Sequence, residues 1–573
     1  MKNIKTLLKK WCIHQALAHS TRTIIISLVT TLIMGTGIQF LVMDDDMMKM
    51  LPKELDSKIA WDAVQDEFGS TEIIFIAFGN AGEDIYNSQS LVDLWELTQE
   101  LNKLSSVDEV INISTATRIE LQDGFMDIDN LQPYKDLSKN EVNDIKLYLD
   151  KNPIQQKQFI SRGGEYFLTI IQPKKEIGLD VFRNQIVTVS DSILSAYDIH
   201  YGGTAYVTGS VPGLIRKDVK SLIEIGLFIM IIILLVNLRS IKAVSMVFLV
   251  IVFSLIAMMG FMGWAYKLTG SDRFLFALLN TSMPIILLTI ANSDGVHVVT
   301  KFFRELRITG NVSIAIESMM NSLLMPIFLT SITTISAFLT MVFSPLEPLV
   351  GYGICISVGI AWAWLLSSLM LPAIIHIQNW DHQSKYIKNH SLFENLANYI
   401  GQIVIQFPKL VFVLGLALVS VGFIGLNKVS VDVNVASFFK KGTDIRDSMD
   451  FMDKEMSGTM DLRIRIEGDI KEPYLLNKMD SLQLFLEEND SVKVCYSIAN
   501  IVKQMHRTVM DDDIRFETIP ENREKINNLF TIYSISGDPD DFSSMIDHGH
   551  ESALITALSS VMSTEEVFNY TRS

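Results

Sequence analysis

Long apolar runs alternate with long polar stretches along this chain, and the runs have the length of membrane-spanning helices. A helix crosses the hydrocarbon core of a bilayer in about 20 apolar residues. Seven runs meet or approach that length, at 23–42, 222–236, 243–266, 276–299, 323–343, 349–375 and 410–426. The pattern predicts a membrane protein that is mainly an α-helical bundle, in which the second to sixth segments follow one another through short loops.

The apolar segments divide the chain into regions that alternate between the membrane and water. Basic residues such as Lys242, Arg304 and Lys409 flank the segments on one side, and the positive-inside rule assigns that side to the cytoplasm. Both large polar regions then face the periplasm of a Gram-negative cell, across its inner membrane. The predicted order is a cytoplasmic N-terminus (1–22), the first segment (23–42), a periplasmic domain (43–219), a bundle of five segments (220–375), a cytoplasmic linker (376–409), the seventh segment (410–426) and a second periplasmic domain (427–573).

Composition restricts the function classes further. Hydrophobic residues make up 49% of the 573 residues, charged residues only 20%, and the mean hydropathy is +0.28, a combination that is untypical of a purely soluble enzyme. The 65 acidic residues against 48 basic ones give a net charge of −17, which argues against a nucleic-acid partner. No Walker loop, nucleophile elbow or metal-ligand spacing occurs in the sequence, so we expect no enzyme activity, no cofactor and no metal site.

The first polar domain alternates strand-like and helix-like patterns. Strands are predicted at 72–78, 109–114, 165–172 and 200–208, and helices at 91–104, 139–150 and 181–196. This βαβ-βαβ order predicts an α+β domain that resembles a ferredoxin-like unit. The linking segments 115–137 and 151–164 are polar, and we expect them to be mobile.

Short motifs of the first polar domain recur in the second at nearly constant offsets of 388, 385 and 386 residues. The matched pairs begin at Glu67 and Glu455, at Val107 and Val492, and at Glu165 and Glu551. Both copies lie on the same side of the membrane, as in transporters with parallel repeats. The second copy stops before the counterparts of 200–208 and of the five clustered segments, so we expect the chain to be the N-terminal portion of a longer transporter. A natural half-transporter and a truncated fragment are both consistent with this pattern.

An acidic residue interrupts the fourth apolar segment. Asp294 lies within 285–300, among isoleucine, leucine and valine residues. An Asp at the centre of a bilayer costs about 2.5–3.5 kcal/mol on insertion scales, and such residues commonly mark proton or ion pathways. His297 follows at i+3 and Lys301 at i+7, so the three share one helix face. A second interpretation is that the Asp294 carboxylate reaches the cytoplasmic end of the helix and pairs with Lys301.

Hydroxyl residues cluster in the neighbouring fifth segment. They can form a chain of hydrogen-bonding groups beside the acid, or they can bond only the carbonyl groups of their own helix. The histidine has a second interpretation too, as a polar residue at the membrane interface. The predicted proton-relay residues are Asp294, His297, Asn292, Thr330, Ser331, Thr333 and Thr334.

The order of segments and domains, together with several short motifs, resembles the resistance-nodulation-division (RND) superfamily. The resemblance is to its MmpL-like branch of predicted exporters, whose membrane helices are similar to sterol-sensing domains. The motifs are Ala-Asn-Ser-Asp-Gly-Val-His-Val at 291–298, Leu-Thr-Ser-Ile-Thr-Thr at 329–334, Gly-Tyr-Gly at 351–353 and Leu-Pro at 371–372. Gly295 stands where many relatives carry a tyrosine or a second acid.

The resemblance implies export of hydrophobic or amphiphilic substrates, lipids among them, driven by the proton-motive force, with Asp294 as the proton-relay acid. The implied partners are such a substrate, protons and membrane lipids, together with a C-terminal half that completes the relay or a second copy of the chain. One alternative is a non-transporting regulatory membrane protein that binds lipid or sterol. Another is an inactive fragment that needs the missing C-terminal half.

Overall fold

A computed structural model describes residues 2–43, 51–52, 54–122, 125–175, 177–380, 392–426, 428–429 and 434–567. The chain forms two compact units, which we call the membrane unit and the α/β unit. The membrane unit contains residues 1–55 and 211–429, and the α/β unit contains residues 56–210 and 430–573. Residues 381–391 of the predicted cytoplasmic linker lie outside the described residues.

Seven helices of the described residues are long and apolar enough to cross a membrane, and each contains most of one predicted segment. We number them as spans 1 to 7: Ser20–Phe40, Thr204–Leu238, Ile241–Thr269, Leu279–Thr309, Val312–Phe343, Glu347–Ile377 and Pro408–Leu426. The helix Lys2–Ala18 precedes span 1, and the helix Leu392–Gln406 precedes span 7. Short 3-10 stretches lie at Thr36–Phe40, Asp272–Phe274, Leu278–Ser282 and Thr340–Phe343, and span 6 consists of the helices Glu347–Leu365 and Leu371–Ile377 with a π-helical turn, Leu366–Met370, between them.

Spans 3, 4 and 6 form the centre of the membrane unit. Their inner faces supply core residues such as Val247, Leu288 and Ala363, and the N-terminal helix adds Cys12 and Ala16 to the same hydrophobic cluster. Span 7, by contrast, buries no side chain among the described residues. Apolar side chains that remain exposed on such helices are the surfaces that a bilayer would cover.

Glycines bring the backbones of spans 1 and 3 into direct contact. A Cβ atom at Gly260 would lie 2.0 Å from the carbonyl oxygen of Met34, and one at Gly263 would lie 1.9 Å from the carbonyl oxygen of Gly37. Small residues at helix interfaces in membranes allow this kind of close approach. The sequence analysis did not identify this contact, because a glycine's role depends on the helix opposite it.

The first lobe of the α/β unit, residues 56–210, is built around a four-stranded sheet. The strands of this lobe are β1 (Ile74–Gly79), β2 (Val107–Ile111), β3 (Thr117–Gln122), β4 (Phe125–Asn130), β5 (Tyr166–Pro173) and β6 (Asp198–Gly202). The antiparallel sheet has the order β2-β5-β1-β6, and β3 and β4 form a separate hairpin. The helices of this lobe are Asp56–Phe68, Ser88–Asn102, Lys139–Lys151, Pro153–Phe159 and Leu179–Ile193.

The second lobe, residues 430–573, contains a three-stranded antiparallel sheet within the described residues. Its strands are β7 (Met460–Glu467), β8 (Val492–Tyr496) and β9 (Ser552–Ser559), in the order β7-β9-β8. The register of β8 against β9 shifts between Val492 and Val494, and the register of β2 against β5 shifts between Val107 and Glu109. The helices are Asp444–Glu455, Pro473–Glu487, Ile498–Val509 and Arg523–Ser536, with 3-10 stretches at Val435–Phe438, Ile514–Phe516 and Pro539–Phe542.

The predicted strand at 200–208 is wrong beyond Gly202. Strand β6 ends there, and the helix of span 2 already begins at Thr204. Between them Gly203 has a φ of +89°, and a Cβ atom on it would lie 2.3 Å from the carbonyl oxygen of Ile73. Because glycine adopts positive φ without steric cost, it turns the chain out of the sheet and into the helix.

The two linking segments that were expected to be mobile contain regular structure. The hairpin of β3 and β4 lies within 115–137, and the helix Pro153–Phe159 lies within 151–164. Ile119 and Met126 of the hairpin are buried in a hydrophobic cluster with second-lobe residues such as Val502. The sequence analysis did not identify this hairpin, because its apolar partners lie far along the chain, where a local pattern gives no sign of them.

A buried arginine joins the two lobes of the α/β unit. Arg507 is only 5% exposed. Its guanidinium donates to Oδ1 of Asn152 in the first lobe and to Oε2 of Glu517 in its own lobe, both at 2.9 Å. Nearby, the side-chain amide of Gln504 donates to the hydroxyl of Tyr148 at 2.8 Å. Hydrogen bonds to charged groups contribute about 1.5–3 kcal/mol each, so this junction stabilises the lobes against each other.

Candidate functional site

The predicted relay acid lies in the middle of span 4, on the buried face of its helix. Asp294 is only 7% exposed, and its neighbours one turn away in either direction, Ala291 and Val298, are buried as well. The helix Met283–Thr309 ends at Gly310, whose φ of +65° terminates it well beyond the acid. The carboxylate therefore lies inside the helical bundle and not at a frayed helix end.

A hydroxyl from span 5 reaches the carboxylate. Ser331 is 5% exposed, and its Oγ donates to Oδ2 of Asp294 at 3.4 Å. Since O–H···O hydrogen bonds have a usual length of about 2.7–2.8 Å, this one is long and weak. No ion pair to the carboxylate occurs among the described residues. The structure thus places an intramembrane acid beside one neutral donor.

Close packing against span 3 explains why position 295 is a glycine. A Cβ atom on Gly295 would lie 2.8 Å from Cγ1 of Val247 in span 3. A larger residue would force spans 3 and 4 apart, because protein interiors have little free space to absorb it. The glycine that follows Asp294 therefore lies at a close contact between these two helices.

The interpretation in which Lys301 neutralises the acid does not match the structure. The Lys301 ammonium lies 2.9 Å from Oε1 of Glu305, one helical turn further on. His297 is exposed, whereas Asp294 is buried, so the two side chains have different surroundings. Asn292 is partly buried, and its Oδ1 has no hydrogen-bond partner among the described residues.

Three of the four predicted hydroxyl residues bond their own helix. Thr330 donates to the carbonyl oxygen of Ile327 at 2.8 Å, and Thr334 donates to that of Thr330 at 2.8 Å. Thr333 donates to the carbonyl oxygens of Leu329 and Thr330, both at 2.9 Å. The structure therefore brings one member of the cluster to the acid, and a relay role for the other three stays a prediction.

The sequence analysis missed the π-helical turn Leu366–Met370 in span 6. This turn contacts span 4 and contains Ser367, which is fully buried and whose hydroxyl has no partner among the described residues. The sequence does contain a signal for an irregular turn here, because Pro372 has no N–H to donate to the carbonyl four residues earlier. Single π turns inside α-helices are frequent at functional sites.

Comparison with known proteins assigns these helices to a family. The family model described as "MMPL family" matches residues 49–388, more than half of the chain. This chain belongs to the MMPL family. The matched stretch contains Asp294 and spans 2 to 6. The "Putative membrane protein MJ1562" of Methanocaldococcus jannaschii is 22% identical over 375 residues, which cover 62% of this chain and 90% of that protein.

Membership of the MMPL family confirms the predicted resemblance to the RND superfamily. It makes the chain a membrane transporter of the RND kind, which fits the expectation of a protein that is not an enzyme. No group of three or more histidine, cysteine or acidic side chains that could hold a metal ion occurs in the part of the chain that the structure describes.

Proposed function

We propose that this MMPL-family chain exports hydrophobic or amphiphilic substrates, lipids among them, out of the inner membrane, driven by the proton-motive force. The observation that supports the proposal is the buried carboxylate of Asp294, which has Ser331 as a weak neutral donor. An ionised acid in such a place costs about 2.5–3.5 kcal/mol, and binding a proton removes that cost. Proton binding and release at Asp294 therefore favour different helix arrangements.

The available driving force is of the right size for this role. One proton that crosses a potential of 100 mV releases about 2.3 kcal/mol, close to the cost of the buried charge. A ligand shifts a two-state equilibrium by its differential affinity for the two states. A proton that binds Asp294 from one side and leaves toward the other would bias the bundle between two exposed states.

The α/β unit is proposed to lie in the periplasm, and the distribution of basic residues around the spans supports this proposal. Its two lobes are proposed to be ferredoxin-like copies of one parallel repeat. The order β8-β9-β7 of the second lobe parallels β2-β5-β1 of the first, and both sheets carry a register shift at the matching place. A shared irregularity supports a common origin more strongly than shared strand order does, because bulges are conserved within families.

The proposed partners are a hydrophobic or lipid-like substrate, protons and membrane lipids. Span 7 buries no side chain among the described residues, although it is apolar enough to cross a membrane. Lipid, helices of a C-terminal half or a second copy of the chain would cover this surface in the membrane.

Proton flux through reconstituted protein tests the proposal. The full chain is placed in liposomes that contain a pH-sensitive dye, and a pH gradient is imposed in the presence of a potential. We expect flux with the wild-type protein, loss of flux with Asp294→Asn, and wild-type flux with Glu317→Gln, an exposed acid on span 5. Equal flux in wild type and Asp294→Asn would refute the role of Asp294.

The same preparations separate export from the regulatory alternative. A non-transporting protein that binds lipid or sterol would carry no flux in the wild type, and its lipid binding would survive Asp294→Asn. An inactive fragment would show neither flux nor retained lipid. Co-purified lipid, measured by mass spectrometry for the wild type and Asp294→Asn, distinguishes these outcomes.

A further inference from the structure

The α/β unit contains a cavity between its two lobes. Its volume is about 200 Å³, smaller than the range of about 300–1,000 Å³ for drug-sized sites, so it suits a small ligand. The first lobe contributes β2 and the helix Pro153–Phe159, and the second lobe contributes β8 and the stretch around Phe542. Apolar side chains such as Ile154 and Phe159 form part of the wall.

The cavity has an excess of negative charge. Two charged residues of the wall are already neutralised, because Arg463 lies 2.6 Å from Asp461 and Glu517 lies 2.9 Å from Arg507. Glu109 on β2 has no ion pair and no side-chain hydrogen bond among the described residues. Burial raises the pKa of the Glu109 carboxyl, and the charges of Asp108 and Asp541 raise it further.

Two amide side chains of the same wall are largely buried, and a third, that of Gln155, has a carboxamide oxygen that is fully buried without a partner. Gln158 is 9% exposed and Gln172 is 7% exposed, and both line the cavity. Neither side-chain amide makes a hydrogen bond within the described residues. An acceptor buried without a partner, such as Oε1 of Gln155, costs about 1–3 kcal/mol, so a donor supplied by a ligand in the cavity would offset that cost.

We propose that this cavity binds a small organic cation, with an ammonium group placed against Glu109. Gln158 and Gln172 would bond polar atoms of the ligand, and the apolar wall would contact its hydrocarbon part. A charge-assisted hydrogen bond to a partly desolvated carboxylate is stronger than a neutral one, so the charge of the ligand selects it. The proposal concerns binding in the α/β unit and is independent of proton coupling at Asp294.

A set of ligands that differ in charge and hardly in shape tests the proposal. The probes are 2-phenylethylamine, 2-phenylethanol and phenylacetate, titrated calorimetrically into the purified full chain in detergent at neutral pH, with empty micelles as a blank. We expect the amine to bind at least about tenfold more tightly than the alcohol, and the anion to bind most weakly. Equal affinity for the amine and the alcohol would overturn the proposal, and this comparison needs no variant.

Variants locate the binding. Glu109→Gln should remove the advantage of the amine over the alcohol, whereas Asp108→Asn, an exposed acid at the adjacent position, should keep it. Gln158→Leu should weaken the binding of the amine and of the alcohol to a similar extent. Circular dichroism and a melting curve establish that each variant is folded. An unchanged preference for the amine in folded Glu109→Gln would place the cation elsewhere and refute the assignment.

Discussion

The contact between spans 1 and 3 leads to a sharp prediction about glycine. In Gly260→Ala the new Cβ would lie 2.0 Å from the carbonyl oxygen of Met34, where contacts under 3.0 Å essentially never occur. The two backbones would have to separate by about 1 Å or more. Backbone atoms cannot rotate away as side chains can, so we expect the upper part of the usual overpacking cost of about 1–3 kcal/mol.

The same substitution should have the opposite sign elsewhere in the membrane unit. Among the described residues, no atom outside its own helix lies within 4 Å of the Cβ position of Gly422 in span 7. There Gly→Ala brings only the gain in helix propensity, about 1 kcal/mol at most. This gain also applies at Gly260, where the overpacking cost exceeds it. For Gly260→Ala we expect an overpacking cost of about 3 kcal/mol, reduced by the gain in helix propensity of about 1 kcal/mol. The net destabilisation is then about 2 kcal/mol.

Thermal unfolding of the purified full chain in detergent measures the difference. Gly260→Ala should lower the melting temperature by several degrees, and Gly422→Ala should leave it unchanged or raise it. Trp264 lies at the contact, where its Nε1 donates to Oγ1 of Thr36 at 3.2 Å, so its fluorescence should also respond to Gly260→Ala. If both variants melted alike and at the wild-type temperature, spans 1 and 3 would not be packed at this distance.

Two further predictions concern the relay and the α/β unit. Thr333→Val should keep proton flux within about twofold, because the hydroxyl bonds carbonyls of its own helix, whereas Ser331→Ala should reduce flux severalfold in the same liposome assay. Two guanidinium bonds from Arg465, at 2.6 and 2.8 Å, lower the pKa of the Glu67 carboxyl. Glu67→Gln should therefore lower the free energy of unfolding, with its whole effect present at neutral pH. The difference in unfolding free energy from wild type, measured by urea denaturation, should shrink as pH falls below about 4. A difference independent of pH would contradict this.

Local sequence patterns predicted the features that depend only on residues close together in the sequence. An apolar run long enough for a bilayer is visible in the sequence alone, and so is an acid such as Asp294 within one. The choice of Ser331 over Thr330 as the partner of that acid was not visible, because it depends on how span 5 is rotated against span 4. The cavity at Glu109 could not be predicted from the sequence either, because its opposite wall comes from the second lobe.

The hydrogen bonds of span 5 also bear on how Asp294 could exchange protons. An ionised carboxylate offers about four acceptor sites, and the described residues supply one long bond from Ser331. Thr330 and Thr334 use their hydroxyl protons on backbone carbonyls, so neither proton is free for the acid in this arrangement. A rotamer change in either threonine would release its hydroxyl at the cost of one backbone bond, about 0.5–1.5 kcal/mol. That cost is below the roughly 2.3 kcal/mol that a proton gains across 100 mV, so the relay predicted for these two hydroxyls is energetically compatible with the proposed proton-driven transport.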